Sequence, residues 1–450
     1  MRKGAILGIS SVFALTLIAL FASDAMAGDA PSIDKGNNAW MLASSALVLI
    51  MTPGLALFYG GMVRAKNMVN TMWMSFIVIC FVSVQWVLWG YSISFAPGNW
   101  FIGGLQWCGL GAGTVGQAPS DLYATTIPHY TFMIFQCMFA VITPALMTGT
   151  FVERFKFNSF LLIVLLWTGA VYAPMAHWVW ASDGWLFKLG ALDFAGGTVV
   201  HICSGASGAA LMMLVGKRKG FPKDIKPPHN LTFMMLGTGL LWFGWFGFNA
   251  GSAVAADGLA ACAFVVTNTA AAAAGLTWSV LEWIHHKKPT ILGACSGAVA
   301  GLVAITPASG FVGPMASIAI GVGGGLVCFY CTTKMKKAFG YDDALDVIGV
   351  HAMGGTWGAF ATGIFANAAV NPALTDMNCI GAIYGNVAQL GKQWIGILAA
   401  WGWSFGMTTL LGLFVKGIMG LRPSEAEEIA GMDISQHKEI AYHYYETETT

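Results

Sequence analysis

Charge is what this 450-residue chain has least of: Asp, Glu, Lys and Arg make up 10% of it, against roughly 25% in an ordinary soluble domain. A soluble globular fold is excluded on that ground. Neither sign is in excess, since 22 Lys and Arg stand beside 21 Asp and Glu. Without a basic surplus to neutralise phosphates, nucleic acid is not an expected partner. Clustered metal ligands are lacking too. Of nine cysteines, Cys80, Cys137, Cys203, Cys262, Cys295, Cys328 and Cys331 fall in apolar stretches as small fillers. The Cys328-x-x-Cys331 pair has no second pair and no histidine beside it, so no metal and no cofactor are expected. Cys108 and Cys379 fall in outer loops open to oxidation.

What is present is apolar. Hydrophobic residues form 56% of the chain, with 57 Gly, 29 Phe and 18 Trp, a composition suited to closely packed helices with aromatic belts in a bilayer. The expected class is an all-α polytopic membrane protein. Arg2 and Lys3 precede an apolar stretch, Ala5 to Phe21, and a small-x-small site, Ala25-Met26-Ala27. Residues 1–27 therefore read as a cleaved signal peptide, with an uncleaved first helix as the alternative. The mature chain would begin near Gly28, outside the membrane.

Crossing the hydrocarbon core takes about 20 apolar residues. Eleven such spans fit after the signal peptide, at 38–62, 70–95, 125–150, 158–180, 196–216, 231–252, 257–284, 290–307, 314–336, 346–368 and 392–420. The cationic residues orient them. One set of loops and the carboxyl tail hold seventeen Lys and Arg, among them Arg64, Arg154, Arg218, Lys288, Lys337 and Arg422, while the other side has Lys35, Lys188 and Lys392. The rich side is cytoplasmic, which puts the mature N-terminus outside and the C-terminus inside.

Ionisable residues at membrane depth are costly and mark function by default. Asp193-Phe-Ala-Gly-Gly-Thr-Val-Val-His201 and Asp343-Ala-Leu-Asp-Val-Ile-Gly-Val-His351 each place an Asp eight residues before a His, near the start of an apolar, Gly-rich helix. They fall in the fifth and tenth spans. That spacing implies two five-helix halves of opposite orientation, with a transport path at their interface and the eleventh span outside the repeat. Two neutral imidazoles there can ligate haem or a metal, relay a proton, or hydrogen-bond a small substrate. The absence of further histidine pairs favours transport. His129 and His177 read as interfacial at outer helix ends. Asp193, Asp343 and Asp346 read as helix caps that also supply negative potential to a cation. Aromatic stretches, Phe135-Gln-Cys-Met-Phe139, Trp180, and Trp245-Phe-Gly-Phe-Asn249 followed by Ser252, would attract a small cation if they face an outer vestibule.

Phe58-Tyr-Gly-Gly-Met-Val-Arg64, the Asp193–His201 stretch, Trp245-Phe-Gly-Phe-Asn-Ala-Gly-Ser252, Leu292-Gly-Ala-Cys-Ser-Gly297 and Gly349-Val-His351 together resemble the Amt/Rh ammonium transporters, in their bacterial Amt branch. The likeness runs from about Gly36 to Tyr442. It implies a homotrimer of eleven-helix subunits, each with its own narrow pore, and no enzymatic activity. Phe139, Trp180 and Ser252 match the outer site that recruits ammonium, with Phe135 lining the approach. Phe139 and Phe248 match the ring gate, His201 and His351 the twin histidines, Asp193 the structural carboxylate, and Thr306 a position near the lower pore. Between Trp180 and Asp193 the chain is one residue longer than the family pattern.

The resemblance further implies a membrane domain over 28–420 and a cytoplasmic regulatory tail over 421–450. That tail would pack under a neighbouring subunit and help dock a trimeric PII signalling protein. The expected location is the inner membrane, and methylammonium is the expected substrate analogue. The expected function is ammonium transport: NH4+ is recruited outside and deprotonated, and NH3 passes the apolar pore with separate proton transfer, giving electrogenic uptake. The alternatives are an ammonium receptor signalling through PII, a neutral ammonia or carbon dioxide channel, and a haem protein using the two histidines.

Overall fold

In the computed structural model, residues 33–442 are described; the expected signal peptide at 1–27 and the end of the tail at 443–450 lie outside the described residues. Among the described residues, nine helices are long and apolar enough to cross a membrane. In chain order they and two shorter helices are α1 (Lys35–Met62), α2 (Ala65–Phe95), α3 (His129–Thr150), α4 (Phe157–Leu189), α5 (Gly197–Val215), α6 (Leu231–Ala253), α7 (Gly258–His286), α8 (Ile291–Ile305), α9 (Pro314–Phe339), α10 (348–365) and α11 (Ala388–Met419). Two tail helices follow, α12 (Glu425–Ala430) and α13 (Met432–His437).

The ends of these helices are set by local chemistry. Asp34, Asn230, Asp257 and Thr290 precede α1, α6, α7 and α8, and each side chain accepts the backbone N–H three residues on. The third span starts later than 125 because Ala124–Pro128 forms a strand against Pro119–Ser120, and the helix begins at His129. The fourth runs to Trp180, breaks at 181–184 and resumes as one turn, Trp185–Leu189, where Gly190 takes φ +79.

The stretches around Asp193 and Asp343 share several local features. π-turns interrupt α4 at Thr168–Tyr172 and α9 at Cys331–Met335; they also open α5 at Gly197–Ile202 and α10 at Ile348–Ala352. Asp193 accepts the N–H of Thr198 and Asp343 that of Ile348, five residues on in each case, both at 2.7 Å. Three residues after each Asp the backbone turns left-handed, at Gly196 (φ +111) and Asp346 (φ +63). The helices α1 and α6 lie in close contact. A Cβ on Gly237 would come within 2.4 Å of the Phe58 nitrogen and 2.6 Å of the Gly54 oxygen, so these backbones meet only because glycine stands there.

Large apolar side chains on the outer helices stay uncovered, including Phe243, Leu276, Met315 and Leu398. In water that surface would be a liability; against acyl chains it is the solvated face.

The basic-rich loops gather at one end. Arg154 is fully buried and donates to the carbonyls of Thr150, Val152, Gly216 and Asp342, satisfying oxygens left over where α3 and α5 finish. Glu153 accepts from Arg64 N and Nε, Asn67 Nδ2 and Arg218 Nη1 at 2.9–3.2 Å, and Arg218 also forks onto Asp342. The tail folds back here. Asp433 caps Val69 and Asn70, Met432 N donates to Asn67, Arg422 pairs with Glu428, and His229 Nε2 meets the Tyr442 hydroxyl at 3.0 Å.

Burial alone would raise the Glu153 carboxyl, but the Arg64 and Arg218 guanidinia outweigh it and hold the group below its ordinary 4.5. A carboxyl lowered in the folded state stabilises above its unfolded value and loses that contribution as pH falls through its folded one. Thermal unfolding in detergent should therefore show a midpoint that drops on acidification below about pH 4.5. The Glu153→Gln variant should start lower at neutral pH and drop less; identical pH profiles for the two proteins would contradict this account.

Candidate functional site

Between α3, α4, α5, α6 and α10 a file of aromatic rings runs towards the two histidines. Phe135 and Phe139, one turn apart on α3, lie 5.0 Å apart between ring centroids. Trp180, at the break in α4, sets its indole edge-on to Phe139 at 5.6 Å. Phe139 lies against Phe248 of α6 at 4.3 Å, and at that separation the two rings touch and leave no water column. Phe248 is followed by His201 at 6.1 Å, and His201 by His351 at 5.3 Å.

The two imidazoles meet Nδ1 to Nδ1 at 3.2 Å. One must donate and the other accept, so a single proton occupies the shared bond and the two neutral rings hold opposite tautomers. Both are buried, and His201 Nε2 has no protein partner. α5 and α10 approach closely enough for this because Gly355 carries no Cβ. One there would lie 2.8 Å from the Gly197 oxygen and 3.1 Å from His201 Cβ. Beyond His351 a cavity of about 10 Å³ is lined by Phe58, Tyr59, Ser296, Leu345, Asp346 and Val350.

The Asp193 carboxylate makes the bend that starts α5. Oδ1 accepts from Gly196 N and Gly197 N at 2.7 Å; Oδ2 accepts from Thr198 N at 2.7 Å, from Val199 N at 3.3 Å and from the Thr198 hydroxyl. Its backbone carbonyl accepts the Trp180 indole N–H at 3.0 Å. Asp193 thus fixes both the helix that carries His201 and the ring at the head of the file.

The other expected residues fall at varying distances from the file. Ser252 lies one turn beyond Phe248, its hydroxyl donating to the Phe248 carbonyl at 2.8 Å. The Thr306 hydroxyl accepts from Trp245 Nε1 at 2.8 Å and donates to Leu302 O, so it serves the wall through Trp245 rather than facing the path with a free group. Trp245 stacks on His201 at 5.3 Å and 21°. Nothing in sequence separates it from its aromatic neighbours in the Trp245–Ser252 stretch.

His129 and His177, expected at a wet interface, are buried. His129 Nε2 meets the Tyr91 hydroxyl at 2.5 Å, while His177 contacts the carbonyls of Ser94 and Asn99 and the Asp183 carboxylate. His129 braces the end of α2, and His177 ties the 94–99 and 181–184 segments together. Cys108 and Cys379 are free thiols, and among the described residues no group of side chains suits a metal ion.

Apolar helices with uncovered flanks, enclosing a dry ring-lined path to a neutral histidine pair, define a multi-pass membrane transporter for a small polar molecule. Residues 39–442 match the Ammonium Transporter Family. The ammonium transporter of Bacillus subtilis is 53% identical over 410 residues, covering 91% of this chain and 99% of the relative; Amt1 of Archaeoglobus fulgidus is 46% identical over 412 residues, covering 91% and 100%. Among solved structures, Mep2 of Saccharomyces cerevisiae superposes with a TM-score of 0.81 at 39% identity, covering 88% of this chain and 89% of that one. The chain belongs to the Ammonium Transporter Family.

Proposed function

We propose that this protein takes up ammonium electrogenically: NH4+ is recruited at Phe139, Trp180 and Ser252, loses its proton, and passes as NH3 between Phe139 and Phe248 and along His201 and His351. The observation that carries this is the unbroken file of rings ending at a histidine pair with one unpartnered nitrogen. Ring faces attract a cation where water still reaches it. A bare cation between touching phenyl rings has no ligands, at a cost of several kcal/mol. Neutral ammonia escapes most of that cost and finds in the imidazoles a partner for either a donor or an acceptor. The proton follows along the shared Nδ1–Nδ1 bond, because a pair with opposite tautomers can take a proton at one end and release one at the other.

In this reading Phe135 lines the approach, Asp193 supports the outer site, and Thr306 braces the path wall through Trp245. All eleven helices α1–α11 cross the bilayer, ten as a five-plus-five inverted repeat. The functional unit is a homotrimer in the inner membrane, with the N-terminus outside after removal of residues 1–27. Residues 28–420 form the transport domain and 421–450 a cytoplasmic regulatory tail. The tail's contacts with the 64–70 turn and with His229 couple it to the basic end of the helices, where a PII-type protein would dock. No enzymatic step is involved.

The test is current on a solid-supported membrane after an ammonium concentration jump, with purified protein in proteoliposomes. A saturable charge displacement whose decay rate rises with protein density is expected. A brief transient independent of protein density would leave only binding and overturn the transport reading.

A further inference from the structure

The eleventh helix lies outside the repeat, and its outer end buries two amides. Gln389 and Gln393, one turn apart on α11, are 0% and 2% exposed. Burying an amide at membrane depth is costly unless its groups are bonded; Gln389 Oε1 has no protein partner, and most of the bonds the other groups make go to one short stretch. Gln393 Oε1 accepts Leu192 N at 2.6 Å, while its Nε2 donates to Leu192 O at 2.9 Å and to Ala359 O of α10 at 2.8 Å. A single side chain thus occupies both backbone groups of Leu192 and ties them to the helix that carries His351. Gln389 Nε2 holds the preceding turn through Gly190 O at 2.9 Å and touches Gln393 Oε1 at 3.2 Å. Gly363 leaves room for the contact, since a Cβ there would lie 2.8 Å from Gln393 Cγ.

Leu192 adjoins Asp193, whose carbonyl receives the Trp180 indole. The segment between Trp180 and Asp193 is a broken helix and a single turn whose own backbone bonds, among them Gly184 N to Ala181 O, Lys188 N to Gly184 O and Ala191 N to Leu186 O, stop at Ala191. Leu192, next to Asp193, is held from outside by Gln393. We propose that Gln393, assisted by Gln389, is a positioning residue for the outer cation site: α11 clamps the 190–193 stretch so that the Asp193 carbonyl fixes the Trp180 ring against Phe139. This rests on the ammonium-recruiting reading of Trp180. It gives the helix outside the repeat a role in substrate affinity rather than in the path.

The experiment pairs transport kinetics with hydrogen exchange on Gln393→Leu, and uses Thr356→Val as the comparison. Thr356 accepts Trp401 Nε1 at 2.9 Å, another tie between α10 and α11 that does not touch the 190–193 stretch. Gln393→Leu should raise the half-saturating ammonium concentration about tenfold with the maximal rate within about twofold. Amide exchange should rise in peptides covering 186–193 but not in α7. Gln393→Glu keeps an acceptor for Leu192 N but sets a carboxylate oxygen against the Leu192 and Ala359 carbonyls, acceptor against acceptor, and should raise the half-saturating concentration at least as far.

Equal effects from Gln393→Leu and Thr356→Val, unchanged half-saturation in Gln393→Leu, or failure of both Gln393 variants to fold would overturn the proposal. If the unsubstituted protein gave no saturable current, the transport reading itself would fail. A faster exchange confined to 186–193 would then still show the clamp.

Discussion

Replacing His201 with alanine is expected to abolish the sustained ammonium-driven current while leaving the brief transient of outer-site binding. The outer rings do not depend on the imidazole. Trp180 is held by the Asp193 carbonyl, and Phe139 by its packing against Phe135 and Phe248, so recruitment survives. What goes is the shared bond to His351, and with it the single relay between the dry segment and the cavity below. A proton, or the intact cation, must then cross unaided at a cost of several kcal/mol. At about 1.4 kcal/mol per factor of ten, that is a loss of at least roughly a hundredfold in rate. His351→Ala should behave alike, because the proton-sharing pair requires both members, and combining the two should cost little more than either alone. An undiminished sustained current in both single variants would remove the relay.

The histidine pair was legible in sequence for a physical reason. Membrane depth makes a titratable residue expensive, and two at matching offsets from an Asp stand out against an apolar background. Nine of the expected apolar spans were legible likewise, because length and composition alone define them among the described residues; the helices at 291–305 and 348–365 are shorter. Asp193 read as a cap and does cap, though with four amides and a hydroxyl rather than the one or two a helix start usually offers.

Less legible were groups whose role depends on what lies across a helix boundary. Trp245 is one of 18 tryptophans, and only its stacking on His201 distinguishes it. His177 adjoins Trp178 and has the residue pattern of an interfacial anchor, yet loops at 94–99 and 181–184 cover it. Gln389 and Gln393 at the head of a membrane helix look like ordinary interfacial polar residues, and nothing local says that their partners lie some 200 positions earlier. The π-turns at 197–202 and 348–352 escape a periodicity of 3.6, which passes over a single wide turn inside a continuous apolar run.

The sharpest test of that buried cap is Asp193→Asn, a change of one atom with nearly the same shape. The carboxylate places two N–H donors on Oδ1 and three donors on Oδ2, and each of those hydrogen bonds is to a charged acceptor. An asparagine side chain has only one acceptor oxygen. If it replaces Oδ1, the amide NH2 points into Thr198 N, Val199 N and the Thr198 hydroxyl; turned over, it points into Gly196 N and Gly197 N. Either way donors face donors at a buried site. Losing two bonds at about 1.5–3 kcal/mol each costs about 3–6 kcal/mol before the repulsion is added, a large part of the margin of a folded domain. The bend opening α5 would relax and carry the Asp193 carbonyl off the Trp180 indole. Folded protein should be recovered in much lower yield. The remaining fraction should show both a weakened outer-site transient and a lost sustained current, whereas His201→Ala loses only the second. Asp193→Glu, which keeps both oxygens but is one methylene too long, should fold better than Asn and still bind ammonium poorly. Wild-type yield and half-saturation in Asp193→Asn would mean that hydrogen-bond counting at this cap has no consequence for the site.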